Sequence, residues 1–143
     1  MTINNYSLVN RINILNKYSA KKLPQRISYA ITKDLIVMEK EYDVYVKALN
    51  NLFNRYNESL IRDDNGEVIV DESGIPTVSD DSADEFRKEL SDLLNIEIDI
   101  DIYTVDESCF DYDDNNGKYD ALSPNDIRIL QSIICNKWFN YID

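Results

Sequence analysis

Large apolar side chains recur every three or four residues through Ile27, Ile31, Leu35, Met38, Tyr42, Tyr45, Leu49, Leu52, Tyr56 and Leu60. That period belongs to an α-helix with one buried face. No glycine or proline interrupts Gln25 to Leu60, so a single helix of roughly 50 Å is expected at ~1.5 Å per residue. A chain of 143 residues does not need a helix of that length to fill one domain. The seam must therefore be covered either by the rest of the chain or by a second copy, which would make a homo-oligomer through the long helix. Its tyrosines suit a globular core better than a strict heptad zipper.

Shorter elements follow from the same kind of pattern. Asn5 to Tyr18 reads as an amphipathic helix on Leu8, Ile12 and Leu15. Pro24 suits the first turn of the long helix, where its missing N–H costs nothing. "DDNG" at 63–66 ends the helical pattern, and "EVIV" and "IPTV" around "DESG" read as a β-hairpin over 67–78. Ser79 or Asp80 caps a helix over 81–94 that buries Phe86, Leu90, Leu93 and Leu94. "SPND" at 123–126 starts a last helix, with Ser123 as cap, Pro124 at the first position and an apolar stripe of Ile127, Leu130, Ile134 and Trp138. No internal repeat or long linker is expected. The fold class is α+β: a long central helix packed with two or three shorter helices and a small antiparallel sheet. One domain is expected over 1–143, with 1–62 helical, 63–122 holding the hairpin, a helix and an acidic stretch, and 123–143 the last helix.

The acidic stretch is "NIEIDIDIY", residues 95–103. Its alternation predicts a strand over 96–105 with Ile96, Ile98, Ile100 and Ile102 inward and Glu97, Asp99, Asp101 and Tyr103 outward. The 67–78 hairpin is the expected pairing neighbour. A polar loop over 106–122 adds Asp106, Asp111, Tyr112, Asp113 and Asp114, with a turn at Asn116–Gly117. Exposed Tyr beside Asp is interface-like, since tyrosine anchors and carboxylates steer.

Composition narrows the chemistry. The chain carries 15 basic and 27 acidic residues and a net charge of −12, so it repels nucleic acid and anionic membranes and favours partners with basic surfaces. The charge is segregated: Arg11, Lys17, Lys21, Lys22, Arg26 and Lys33 precede the first acid, Asp34. That basic start either attracts the acidic remainder within the fold or binds a partner. Histidine is absent, which removes the commonest general base. Cys109 and Cys135 alone make no zinc site. Asp63, Asn65, Gly66 and Glu72 fall at four positions of a calcium loop whose first position is Ile61, a non-ligand, and Asp111, Asp113 and Asn115 begin a second loop that Gly117 misses by one. Both read as Asx-rich turns. No catalytic residue, metal or cofactor is expected. Nothing resembles a signal peptide, and no apolar run approaches the ~20 residues of a membrane helix. A host cytoplasm with reduced thiols is the expected setting.

The stretch from "NYSLVNRINILNKYSAKKLP" through "DLIVMEKEYDVY", with "DDNGEVIVDESGIPTV", "LLNIEIDID" and "LSPNDIRIL", resembles small acidic proteins of unknown function encoded by phages and prophages of Firmicutes. The resemblance is loosest over 106–120. It implies a viral origin and work inside a bacterial host, and it carries no catalytic motif. The leading expectation is a non-enzymatic accessory protein. Its acidic face, Glu97, Asp99, Asp101, Tyr103, Asp106, Asp111, Tyr112, Asp113 and Asp114, would dock on the basic, nucleic-acid-binding surface of a host protein. It would block a defence nuclease by charge imitation, in the manner of an anti-CRISPR protein. A virion structural or assembly protein is the alternative, and a small carboxylate-based hydrolase a second one.

Overall fold

A computed structural model describes residues 1–135. The class is α+β, as the periodicities predict: the described residues form four α-helices and a two-stranded antiparallel sheet. The chain order is β1 (Thr2–Asn4), α1 (Asn5–Ser19), α2 (Gln25–Arg55), α3 (Asp80–Leu94), β2 (Glu97–Asp99) and α4 (Pro124–Ile134), with single 3-10 turns at Asn57–Ser59 and Glu107–Phe110. Trp138, expected on the last stripe, lies outside the described residues. The chain forms two compact units. One is residues 1–42 with 97 onward; the other is Asp43–Ile96.

The first unit is built on the leading part of α2. Ile27, Ala30, Ile31, Leu35 and Met38 are buried with Leu8, Ile12 and Leu15 of α1 and Leu130, Ile133 and Ile134 of α4. Fully burying such side chains is worth ~1.5–3 kcal/mol each. Asn4 caps α1 by accepting from the Ser7 N–H at 2.8 Å. Ser123 and Asp126 form a reciprocal capping box on α4. The two helices are also tied side chain to side chain: the Tyr18 hydroxyl donates to Asp126 Oδ1 at 2.6 Å. Burial, with that bond behind it, pushes the Tyr18 hydroxyl up to about 12, and the same bond holds Asp126 below the usual carboxylate range.

The second unit has its own core of Leu52, Tyr56, Val78, Phe86, Leu90 and Leu93. The Phe86 ring packs edge-on against Tyr56 at 5.3 Å and tilted against Phe53 at 6.1 Å. The Tyr56 hydroxyl donates to Glu89 Oε2 at 2.6 Å, which pushes it up to about 12. Two sequence expectations change here. α2 ends at Arg55, not Leu60, and Leu49 is only half-buried. Leu60 is instead the start of a strand, bridged to Val78.

That strand reveals a repeat that the sequence reading excludes. "IRDDNGEV" (61–68) and "IVDESGIP" (69–76) fold identically. Asp63 Oδ1 accepts from the N–H groups of Asn65 and Glu67, and Asp71 Oδ1 from those of Ser73 and Ile75. Each turn then needs a left-handed glycine, Gly66 at φ +80° and Gly74 at φ +79°. The central residues close a ring: Ile61 N–H donates to Thr77 O, Thr77 N–H to Ile69 O, and Ile69 N–H to Ile61 O, all within 3.0 Å. The expected hairpin is therefore two sides of a three-stranded ring, and each short strand pairs with both others. No strand of the ring is left to pair with residues 96–105.

Candidate functional site

The acidic strand is shorter than its alternation suggests. β2 spans only Glu97–Asp99 and pairs with β1, Thr2 opposite Asp99, Ile3 opposite Ile98 and Asn4 opposite Glu97. Backbone bonds between Met1 and Ile100 extend the ladder by one pair. The partner differs from the expected hairpin because that hairpin has closed on itself. The inward face holds from Ile98 on: Ile100 is buried, and Ile98 and Ile102 pack against the core. Ile96 departs from the expectation, being half exposed at the end of the second unit.

Glu97, Asp99 and Asp101 all face solvent. In extended backbone alternate residues recur about 7 Å apart, so the three carboxylates make a row. Their cross-strand neighbours are short and neutral: Thr2, whose hydroxyl donates to Asp99 Oδ1, and Asn4. None of the three forms an ion pair with a described residue. Glu97 also borders a cavity of about 290 Å³ with Tyr6, Ser7, Asn10 and the buried Arg11.

Tyr103 ends the row and is held from both sides. Its N–H donates to Asp34 Oδ1 at 2.7 Å. Its ring stands edge-on to Tyr29 of α2 at 5.2 Å, and Lys33 Nζ lies 5.0 Å from its centroid and 5.7 Å from that of Tyr29. Both rings remain well exposed, Tyr29 at 49% and Tyr103 at 40%. A cation over two aromatic faces fixes a long side chain that would otherwise sample many rotamers.

Asp34 is fully buried among apolar residues of α2, and among the described residues its Oδ2 has no hydrogen-bond partner. Burial pushes its carboxyl up to about 7, against the lowering effects of the Tyr103 N–H and of Lys33. Sequence reasoning misses Tyr29 and Asp34, and reads Lys33 only as one charge of the basic start. A signal existed for Asp34: Ile27, Ile31, Asp34 and Met38 also keep helical spacing, which puts a carboxylate inside the seam. Leu35 beside it satisfies the pattern equally well and hides it.

The loop acids belong to a different arrangement. Asp106 caps the 107–110 turn by accepting from Ser108 N–H, and Asp113 Oδ1 accepts from Asn115 N–H. Asp114 receives Gly117 and Tyr119 N–H on its carbonyl while Asn115, Asn116 and Gly117 pass through positive φ. The Tyr112 hydroxyl donates to Asp120 O at 2.7 Å, and its ring packs edge-on against Tyr119 at 5.8 Å. Desolvation raises its hydroxyl. Phe110 plugs the loop into the core. Of the four expected loop acids, Asp111 and Asp114 leave their carboxylates outside these turns. The nine expected site residues thus divide into a row with an anchor (Glu97, Asp99, Asp101, Tyr103) and a loop whose polar groups mostly hold its own shape.

Arg11 is buried, whereas Lys17, Lys21, Lys22, Arg26 and Lys33 are exposed and form no ion pair with a described residue. No helix among the described residues is long and apolar enough to cross a membrane. No protein-family model, curated protein or solved structure matches the chain.

Proposed function

We propose that this protein is a non-enzymatic binding protein that docks its acidic row, anchored by Tyr103, on the basic surface of a host protein that handles nucleic acid. One observation carries the reading: Ile98, Ile100 and Ile102 pack inward, so Glu97, Asp99 and Asp101 are forced outward as a row without counter-charges. Like charges on one strand face destabilise it slightly, and binding to cations repays that cost. Carboxylates about 7 Å apart along an extended backbone imitate the regular negative charge of a nucleic-acid strand. The resemblance of the sequence to small phage-encoded proteins of Firmicutes fits a viral product that would occupy a defence nuclease's channel.

The test is capture from a bacterial host lysate by wild-type protein and by a Glu97→Gln/Asp99→Asn/Asp101→Asn variant. The wild type is expected to retain a basic nucleic-acid-binding protein that added salt releases. Equal capture by the neutralised variant would remove the reading.

A further inference from the structure

α2 carries a second stripe, which the core does not use. Arg26, Tyr29, Lys33, Ile36 and Lys40 follow one another at three- and four-residue intervals and so share one face. All five are exposed, Ile36 at 53%. The cations recur every seventh residue, about 10 Å apart. The stripe itself contains no acid, although solvated helix faces normally mix signs in i,i+4 pairs. Exposed cations alternating with an exposed tyrosine and isoleucine have the composition of a docking surface, with an aromatic and apolar middle and charges alongside.

What fits it is suggested by what lies next to it. Tyr103 leans on Tyr29 and Lys33, and the residues just before Tyr103 are the acidic row. The basic stripe and the acidic row therefore meet at the Tyr29–Tyr103 pair and form one surface, cationic on one side and anionic on the other. Such a surface is its own complement. A two-fold rotation about an axis through the paired rings places each copy's cations opposite the other copy's carboxylates. A nucleic acid is the poorer fit, because it would meet the carboxylate row together with the stripe.

We infer that two copies of this chain associate through this surface as an isologous dimer, with Lys33 and Lys40 of each facing Glu97 and Asp101 of the other around Tyr29, Ile36 and Tyr103. The inference does not rest on the host-binding reading, but it bears on it. A basic partner and a second copy compete for the same row, so self-association covers the row until a tighter cationic surface displaces it.

Sedimentation equilibrium of the purified full chain tests this. At low salt the mass is expected to reach two chains, and the association to weaken at least ~10-fold on going to ~0.5 M salt, where charges are screened beyond a few ångström. Lys33→Glu/Lys40→Glu is expected to be monomeric, and so is Glu97→Lys/Asp101→Lys. Mixed in equal amounts, these two variants present one charge-reversed contact and one native contact, both complementary, and are expected to form a heterodimer. Far-UV circular dichroism checks that each is folded, and Lys33→Gln/Lys40→Gln replaces a variant that is not, with loss of the dimer again expected. A wild type that stays monomeric at every concentration overturns the inference. So does a dimer indifferent to salt and to both variants, or a mixture of folded variants that does not associate. Lys40→Glu keeps the whole acidic row and the Lys33–Tyr103 contact, so host capture by this variant reports on the host-binding reading alone.

Discussion

Asp34 is the residue with the most to lose from its surroundings. Its folded value of about 7 lies above the ordinary 3.8, because burial disfavours the charged form. Between those two values the folded chain holds a proton that the unfolded chain has released. Stability from this group is therefore full below pH ~4 and declines as pH rises through about 7, by ~4 kcal/mol at most. Asp34→Asn keeps an oxygen for the Tyr103 N–H and removes the titration. Urea unfolding from pH 4 to 8 is expected to show a flatter profile for the variant than for wild type; the slope, not the absolute stability, is the readout. Leu52 and Leu49 give a second contrast. Leu52→Ala should cost ~2–5 kcal/mol, because its side chain is buried, whereas half-buried Leu49 should cost clearly less. Equal midpoint shifts for the two would contradict the packing of the second unit.

Among the elements, those with a full period were legible in the sequence and those held by closure were not. α1 and α3 begin and end, and α4 begins, within about a residue of where spacing and caps place them, because an amphipathic stripe and a Ser-Pro-x-Asp start are local signals; α4 stops at Ile134, short of the stripe expected through Trp138. β1 is three residues, "TIN", too short for any period, so the true partner of the acidic strand left no local trace. The inward and outward sides of that strand were legible, since alternation fixes them whatever the partner is. The loop acids looked equivalent to the strand acids in composition. What separates them is hydrogen bonding to backbone N–H groups, which composition does not encode. The octad went unseen because only Ile, Asp and Gly recur identically at eight-residue spacing. Its closure makes a prediction: Gly66→Ala and Gly74→Ala have equal surroundings and equal φ, so each should cost about the same, on the order of 1 kcal/mol from backbone strain alone. Replacing Glu97, Asp99 and Asp101 by Gln, Asn and Asn should leave the melting temperature unchanged or raise it, because Asp99→Asn keeps an oxygen for the Thr2 hydroxyl while the change relieves repulsion on the strand.

At the scale of the whole molecule, two cores share one helix but not one stretch of sequence. The second unit is continuous, Asp43–Ile96, while the first is assembled from both sides of it. Phe86→Ala should therefore cost ~3–5 kcal/mol within the second unit. Hydrogen exchange is expected to quicken in 43–96 before it changes in α1, and uniform quickening would mean the units open as one. The pairing of Thr2 with Asp99 has a further meaning for the order of events on the ribosome. β1 waits for a partner 97 residues later, and Leu8, Ile12 and Leu15 meet α2 early but gain their α4 neighbours only when that helix has been synthesised. The middle of the chain can fold while its two ends are still apart. The carboxylate row gains its strand geometry only when β2 pairs with β1. A truncated or stalled chain would carry every acid of the row and still present none of them in register.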